Sequence, residues 1–79
     1  MNHNEWMKES GFCLRLSQAR LNNHMALVHA ARSLDTSVSY ISMVEQGQVC
    51  PSVERAAAFA NLYNVSLDWL CGVEVSNND

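Results

Sequence analysis

Serine caps and turn-forming residues cut this chain into short apolar segments, and that punctuation most constrains what it can fold into. Ser37 precedes an apolar run that closes at Gly47, Ser52 precedes one that ends near Asn64, and Ser66 precedes one closed by Gly72. A serine hydroxyl at an N-cap accepts from an orphan backbone N–H, and a glycine just past a helix adopts the left-handed conformation at least cost. No stretch alternates apolar and polar residues long enough to read as a strand, and there are no repeats or low-complexity segments.

Five short helices follow from this punctuation. The first is expected over about residues 5–22, with Phe12, Leu16 and Ala19 on one stripe and Asn22, Asn23 and His24 breaking it. The second, about residues 26–34, carries Leu27, Ala30, Ala31 and Leu34, whose small alanines suit close approach of another helix. The third runs from the Ser37 cap to about Gln46. The fourth starts at Ser52 with Glu54 favourably placed on the helix dipole. It reads as densely buried through Ala56, Ala57, Phe59, Ala60, Leu62 and Tyr63. The fifth is residues 67–71. The chain thus divides into an N-terminal tail or extra helical turn (1–11), a domain (12–72) and a C-terminal tail (73–79).

At 79 residues one small domain is expected, and a composition 48% hydrophobic and 16% charged is that of a globular chain. No apolar run approaches the roughly 20 residues that span a bilayer, and Met1 to Trp6 lack the basic-then-apolar pattern of a signal peptide. A soluble, cytoplasmic protein without a membrane partner is the expectation. Cys13, Cys50 and Cys71 are odd in number and form no CxxC pair, so they read as reduced thiols packed like small apolar residues. His3, His24 and His29 have no ligand spacing, so no metal or other cofactor is expected. Paired carboxylates, a nucleophile–base spacing and a glycine-rich phosphate loop are all missing from the sequence, since Gly11, Gly47 and Gly72 read as helix breakers. No catalytic residue is assigned, and an enzyme is not expected.

One stretch goes further. Tyr40-Ile41-Ser42-Met43-Val44-Glu45-Gln46-Gly47, then Pro51-Ser52, then Asn64-Val65-Ser66-Leu67-Asp68-Trp69-Leu70, in this order and with these gaps, resembles the lambda-repressor-like family, nearest in length to its Cro/Xre branch. The likeness covers about residues 12–72. It implies an all-α, five-helix domain in which helices 2 and 3 form a helix-turn-helix and helix 3 lies in the major groove. It further implies a phage or mobile-element regulator that binds a double-stranded DNA operator as a homodimer. Spacing residues by 100° puts Ile41, Val44 and Glu45 on one side of helix 3, and Ser39, Ser42, Met43 and Gln46 on the other. The apolar pair must face the core. By the resemblance, Glu45 pairs with Arg20 to orient helix 3, and base-reading positions fall on Val38, Ser39, Ser42 and Met43, assisted by Gln46. Leu27 and Gln48 occupy flanking contact positions, and Leu67, Trp69, Leu70, Val73 and Val75 are the dimer candidates.

The charge and the anchoring positions leave a second reading open. Five Lys and Arg stand against eight Asp and Glu, a net charge of −3, whereas phosphate neutralisation supplies much of the affinity of most DNA-binding domains. Ala26 and Leu27 replace the Ser or Thr cap and the Gln usual in similar proteins, and the loop Gln48-Val49-Cys50 is not basic. With Arg20 engaged internally, Lys8, Arg15, Arg32 and Arg55 are the remaining cations. The alternative is a repurposed helix-turn-helix domain that binds another protein through an apolar face formed by Leu27, Val38, Met43 and Val49.

Overall fold

The computed structural model describes residue 7 and residues 9–73, and every regular element among them is helical. Five helices follow in order: α1 (Phe12–Asn22), α2 (Leu27–Ser33), α3 (Val38–Glu45), α4 (Val53–Tyr63) and α5 (Leu67–Leu70). The all-α, five-helix architecture expected from the sequence is the one observed. No described helix is long and apolar enough to cross a membrane.

Each helix starts and stops for a local reason. Ser37, Ser52 and Ser66 sit in extended backbone, and their hydroxyls accept from the N–H groups of Tyr40, Arg55 and Trp69 at 3.0, 3.2 and 3.0 Å. All five C-termini close on the same device, a left-handed residue whose successor donates its N–H five residues back. The left-handed residues are His24, Asp35, Gly47, Asn64 and Gly72. The closing bonds run from Met25 to Arg20, Thr36 to Ala31, Gln48 to Met43, Val65 to Ala60 and Val73 to Asp68, at 2.9–3.1 Å.

Two helix starts differ from expectation. Gly11 takes φ 80°, a left-handed turn that an α-helix does not continue through, so α1 opens at Phe12 instead of near residue 5. Met7, upstream of that turn and within the stretch read as a tail or extra turn, is wholly buried. At α2 the N-cap position holds Ala26, which has no side-chain acceptor. His29, three residues on, supplies half of a capping box instead: its Nδ1 accepts from the Ala26 N–H at 3.4 Å.

α3 packs against α2 and α1, and α5 against α1 and α4. The core they enclose holds Phe12, Leu16, Ile41, Val44, Phe59, Tyr63 and Leu70 as its larger members, with Met7 and Cys13. Ala19, Ala30, Ala31, Ala56 and Ala60 complete it and let the helices approach closely. Ala57 is exposed and Leu62 only half-buried, so the density expected for all of α4 holds for one of its faces. An alanine buries little apolar area, so a core with many of them gains modestly from transfer out of water. Polar ties between elements matter correspondingly more here.

Candidate nucleic-acid interface

The turn between α2 and α3 is four residues, Leu34 to Ser37. Asp35 in the left-handed region (φ 54°) and the Thr36-to-Ala31 bond reverse the chain, and the Ser37 cap launches α3. Ala30 and Ala31, 0% and 4% exposed, are the contact through which α2 seats α3. The turn is also held from outside. Arg55 of α4 donates through Nη1 to the Leu34 carbonyl at 3.1 Å, and its guanidinium lies over the Tyr40 ring, 5.3 Å from the centroid. Burial pushes the Tyr40 hydroxyl above its ordinary pKa, against the opposing pull of Arg55.

α3 is fixed on its inner side by two kinds of contact. Ile41 and Val44 are fully buried. One turn on, Arg20 of α1 grips Glu45 with two hydrogen bonds, Nε to Oε2 at 2.7 Å and Nη2 to Oε1 at 3.1 Å. The third nitrogen, Nη1, donates to the Met25 carbonyl at 2.8 Å, so one guanidinium joins α1, the start of α2 and the end of α3. The two side chains are only 12% and 10% exposed. The bond to Glu45, partly offset by burial, raises the Arg20 pKa further above its already high value. Tyr63 packs beside this pair; burial first, then the Glu45 charge, pushes its pKa up to about 12. Asn23 ties the end of α1 to the end of α4 through the Tyr63 carbonyl at 3.0 Å.

The outer side of α3 is bare. Val38 and Met43 are 41% and 37% exposed, Ser39 and Gln46 are exposed, and Ser42 is half-exposed. Gln46 Nε2 donates to Ser42 Oγ at 2.9 Å, and Gln48 Nε2 donates to Gln46 Oε1 at 3.0 Å, which links the last turn of α3 to the loop that follows. The structure therefore gathers Val38, Ser39, Ser42, Met43, Gln46 and Gln48 on or beside one exposed face. Leu27 and Val49 do not fully join them, since both are half-buried against the core. The apolar face drawn from the sequence shrinks to Val38 and Met43.

The dimer candidates separate as well. Leu70 is 0% exposed and completes the core, which corrects its assignment to an outer surface, and Leu67 also packs partly against the core. Trp69 and Val73 remain 39% and 56% exposed. Val75 and Lys8 lie outside the described residues. Two of the cations counted as available are engaged: Arg55 as above, and Arg15, which donates to the Ser10 carbonyl at 2.5 Å and lies 5.8 Å from the Trp69 ring centroid. Among the described residues Arg32 alone of the arginines has no side-chain partner.

Sequence reasoning missed the Arg55 tether, the Asn23 bridge and the His29 half-cap. His29 was findable, because it stands at the third helical position after an N-cap that cannot serve itself. Arg55 and Asn23 act across long sequence separations, and no local pattern marks them. Among the described residues no three His, Cys, Asp or Glu side chains gather as a metal site, and the three cysteines are free thiols.

Two short helices joined by a tight turn, the second pinned inside and bare outside, define a helix-turn-helix protein. A family model described as helix-turn-helix matches residues 16–70, and the chain belongs to that family, of the lambda-repressor-like Cro/C1 type. That family is one of DNA-binding helix-turn-helix regulators and is not enzymatic. No curated protein and no solved structure matches the chain significantly.

Proposed function

We propose that this protein is a sequence-specific transcriptional regulator of phage or mobile-element type that lays α3 in the major groove of a two-fold operator. The observation that carries this reading is the two-sidedness of α3. Ile41, Val44 and the Arg20–Glu45 pair fix its inner side, and Val38, Ser39, Ser42, Met43 and Gln46 lie on its outer side, where base edges would meet them. Hydroxyls and an amide read donors and acceptors there, and Val38 and Met43 meet thymine methyl groups. Trp69 and Val73, exposed at and just beyond α5, are the surface offered for a homodimer, which would set half-sites about one helical turn apart.

The test is binding of the purified protein to DNA flanking its own gene, titrated with salt against a scrambled duplex. Preferential binding is expected, lost when Ser39 and Met43 are both changed to Glu. With one or two phosphates neutralised per subunit, the salt slope of log K for a dimer is expected to be shallow, roughly −2 to −4. Equal binding to both duplexes, or none at low salt, would overturn the proposal.

The engaged arginines favour a second reading. With Arg15, Arg20 and Arg55 all bound within the domain, the exposed Val38–Met43 face serves a protein partner and DNA binding is weak or lost. The same titration separates the two, since a protein-binding domain shows no preference for its own flanking DNA.

A further inference from the structure

The outer face of α3 also limits which bases it can read. α3 carries no lysine or arginine, so the bidentate contact of a cation with guanine O6 and N7 is not available from it. Its one acid, Glu45, would accept from cytosine N4, but both carboxylate oxygens are held by Arg20 on the inner side. Neither partner of a G·C pair therefore has its usual reader on this helix.

The residues that remain suit A·T pairs. Gln46 is fixed from both ends, its Nε2 donating to Ser42 and its Oε1 accepting from Gln48. Its amide keeps one N–H and one lone pair to offer. An adenine edge presents N7 as acceptor and N6 as donor, the complement of that pair. A guanine edge presents two acceptors, so the Gln46 oxygen would face guanine O6 one way round and N7 the other, and no bidentate pair forms. Met43 lies three residues earlier on the same face, and Val38 at the helix start, both exposed enough to pack on a thymine methyl.

We infer that the protein recognises A·T-rich half-sites, with Gln46 on an adenine and Met43 and Val38 on thymine methyl groups. This rests on the DNA-binding reading above. From Val38 to Gln46 the helix advances roughly 12 Å, the length of three to four base pairs, and that is the size of the core expected.

The experiment is selection of duplexes from a random pool by the full chain, followed by single-atom changes in the winning sequence. An A·T-rich core repeated in two half-sites is expected. Uracil in place of a contacted thymine removes one methyl and is expected to weaken binding about fourfold. Replacing the contacted adenine with 7-deazaadenine removes N7 and is expected to weaken it about tenfold. Gln46→Ala removes the amide, so it is expected to erase most of the preference for adenine over guanine at that position while leaving the fold intact by circular dichroism. A G·C-rich core, or indifference to both uracil and 7-deazaadenine, overturns this inference and leaves DNA binding standing. A pool that yields no enriched duplex overturns the DNA-binding reading itself, and this inference with it.

Discussion

Removing the Glu45 carboxylate tests the frame that holds α3. In Glu45→Ala, the Arg20 guanidinium, on a side chain only 12% exposed, keeps the Met25 carbonyl and loses two charge-assisted bonds of 2.7 and 3.1 Å. Exposed ion pairs contribute under about 1 kcal/mol, whereas breaking a buried pair from one side costs about 3–5 kcal/mol, because a charge is left without its partner. The retained bond to Met25 and the small residual exposure place this pair near the lower end, about 3 kcal/mol. A domain of this length has a total stability of about 4–12 kcal/mol, so the loss is a large part of it. With a urea dependence of about 1 kcal/mol per molar for so small a domain, the unfolding midpoint is expected to fall by about 3 M.

Urea titration followed by circular dichroism and tryptophan fluorescence measures this directly, and a double-mutant cycle isolates the pair. Arg20→Ala leaves an unpaired carboxylate and is expected to cost as much as Glu45→Ala or more, because it also frees the Met25 carbonyl. The double variant leaves no orphan charge, so its loss is expected to fall short of the sum by about 2 kcal/mol. A midpoint shift under about 1 M for Glu45→Ala, or additive single variants, would refute the reasoning. The pair would then be a solvated contact that does not orient α3.

Four further substitutions probe the rest of the frame. The Tyr63 hydroxyl is buried with no hydrogen-bond partner among the described residues, so Tyr63→Phe is expected to stabilise the domain by about 1 kcal/mol at neutral pH in urea titration. Its pKa of about 12 in the folded state exceeds the ordinary value of 10.0, so the unfolded chain loses this proton first as pH rises. Stability should therefore fall between pH 10 and 12 by about 1.4 kcal/mol per pH unit from this group, and stability curves of the Phe variant should lack that increment. His24→Gly and Asp35→Gly relieve left-handed backbone at φ 56° and 54°, and each is expected to raise the melting midpoint, by about 0.5–1 kcal/mol of stability. Gly72→Ala puts a methyl group into the Ser10 carbonyl at φ 76° and is expected to destabilise by more than about 1 kcal/mol, seen in the same titration.

What the sequence made legible is what acts locally. Ser37, Ser52 and Ser66 cap through groups three residues away, and Gly47 and Gly72 terminate through groups within one turn, so a linear reading reached them. The division of α3 into a buried Ile41–Val44 side and an exposed Ser39–Met43–Gln46 side follows from helical period alone. The start of α1 was misplaced because Gly11 inside a helical pattern is compatible with either continuation or a break, and only its left-handed φ decides. Arg15 and Arg55 looked available because their partners are backbone carbonyls and ring faces, which every chain has and no motif announces. Leu27 and Val49 looked like surface residues because their half-burial depends on how the neighbouring elements pack.

The placement of the arginines links the stability of the domain to the way it would read DNA. Arg20 joins α1, the start of α2 and the end of α3, Arg55 joins the helix-turn-helix turn to α4, and Arg15 joins the Ser10 turn to α5 through Trp69. Each spans elements that the alanine-rich core holds only modestly, so these cations serve the frame around α3 and not the phosphate backbone. Non-specific DNA affinity is almost wholly electrostatic and depends on cations free to displace counterions. A domain that uses them internally loses affinity for every sequence alike, while base-edge contacts from a rigidly held α3 act only on the matching one. Under the proposed function, the same tethers that steady the fold therefore lower the background of binding against which the Gln46–Met43–Val38 face discriminates.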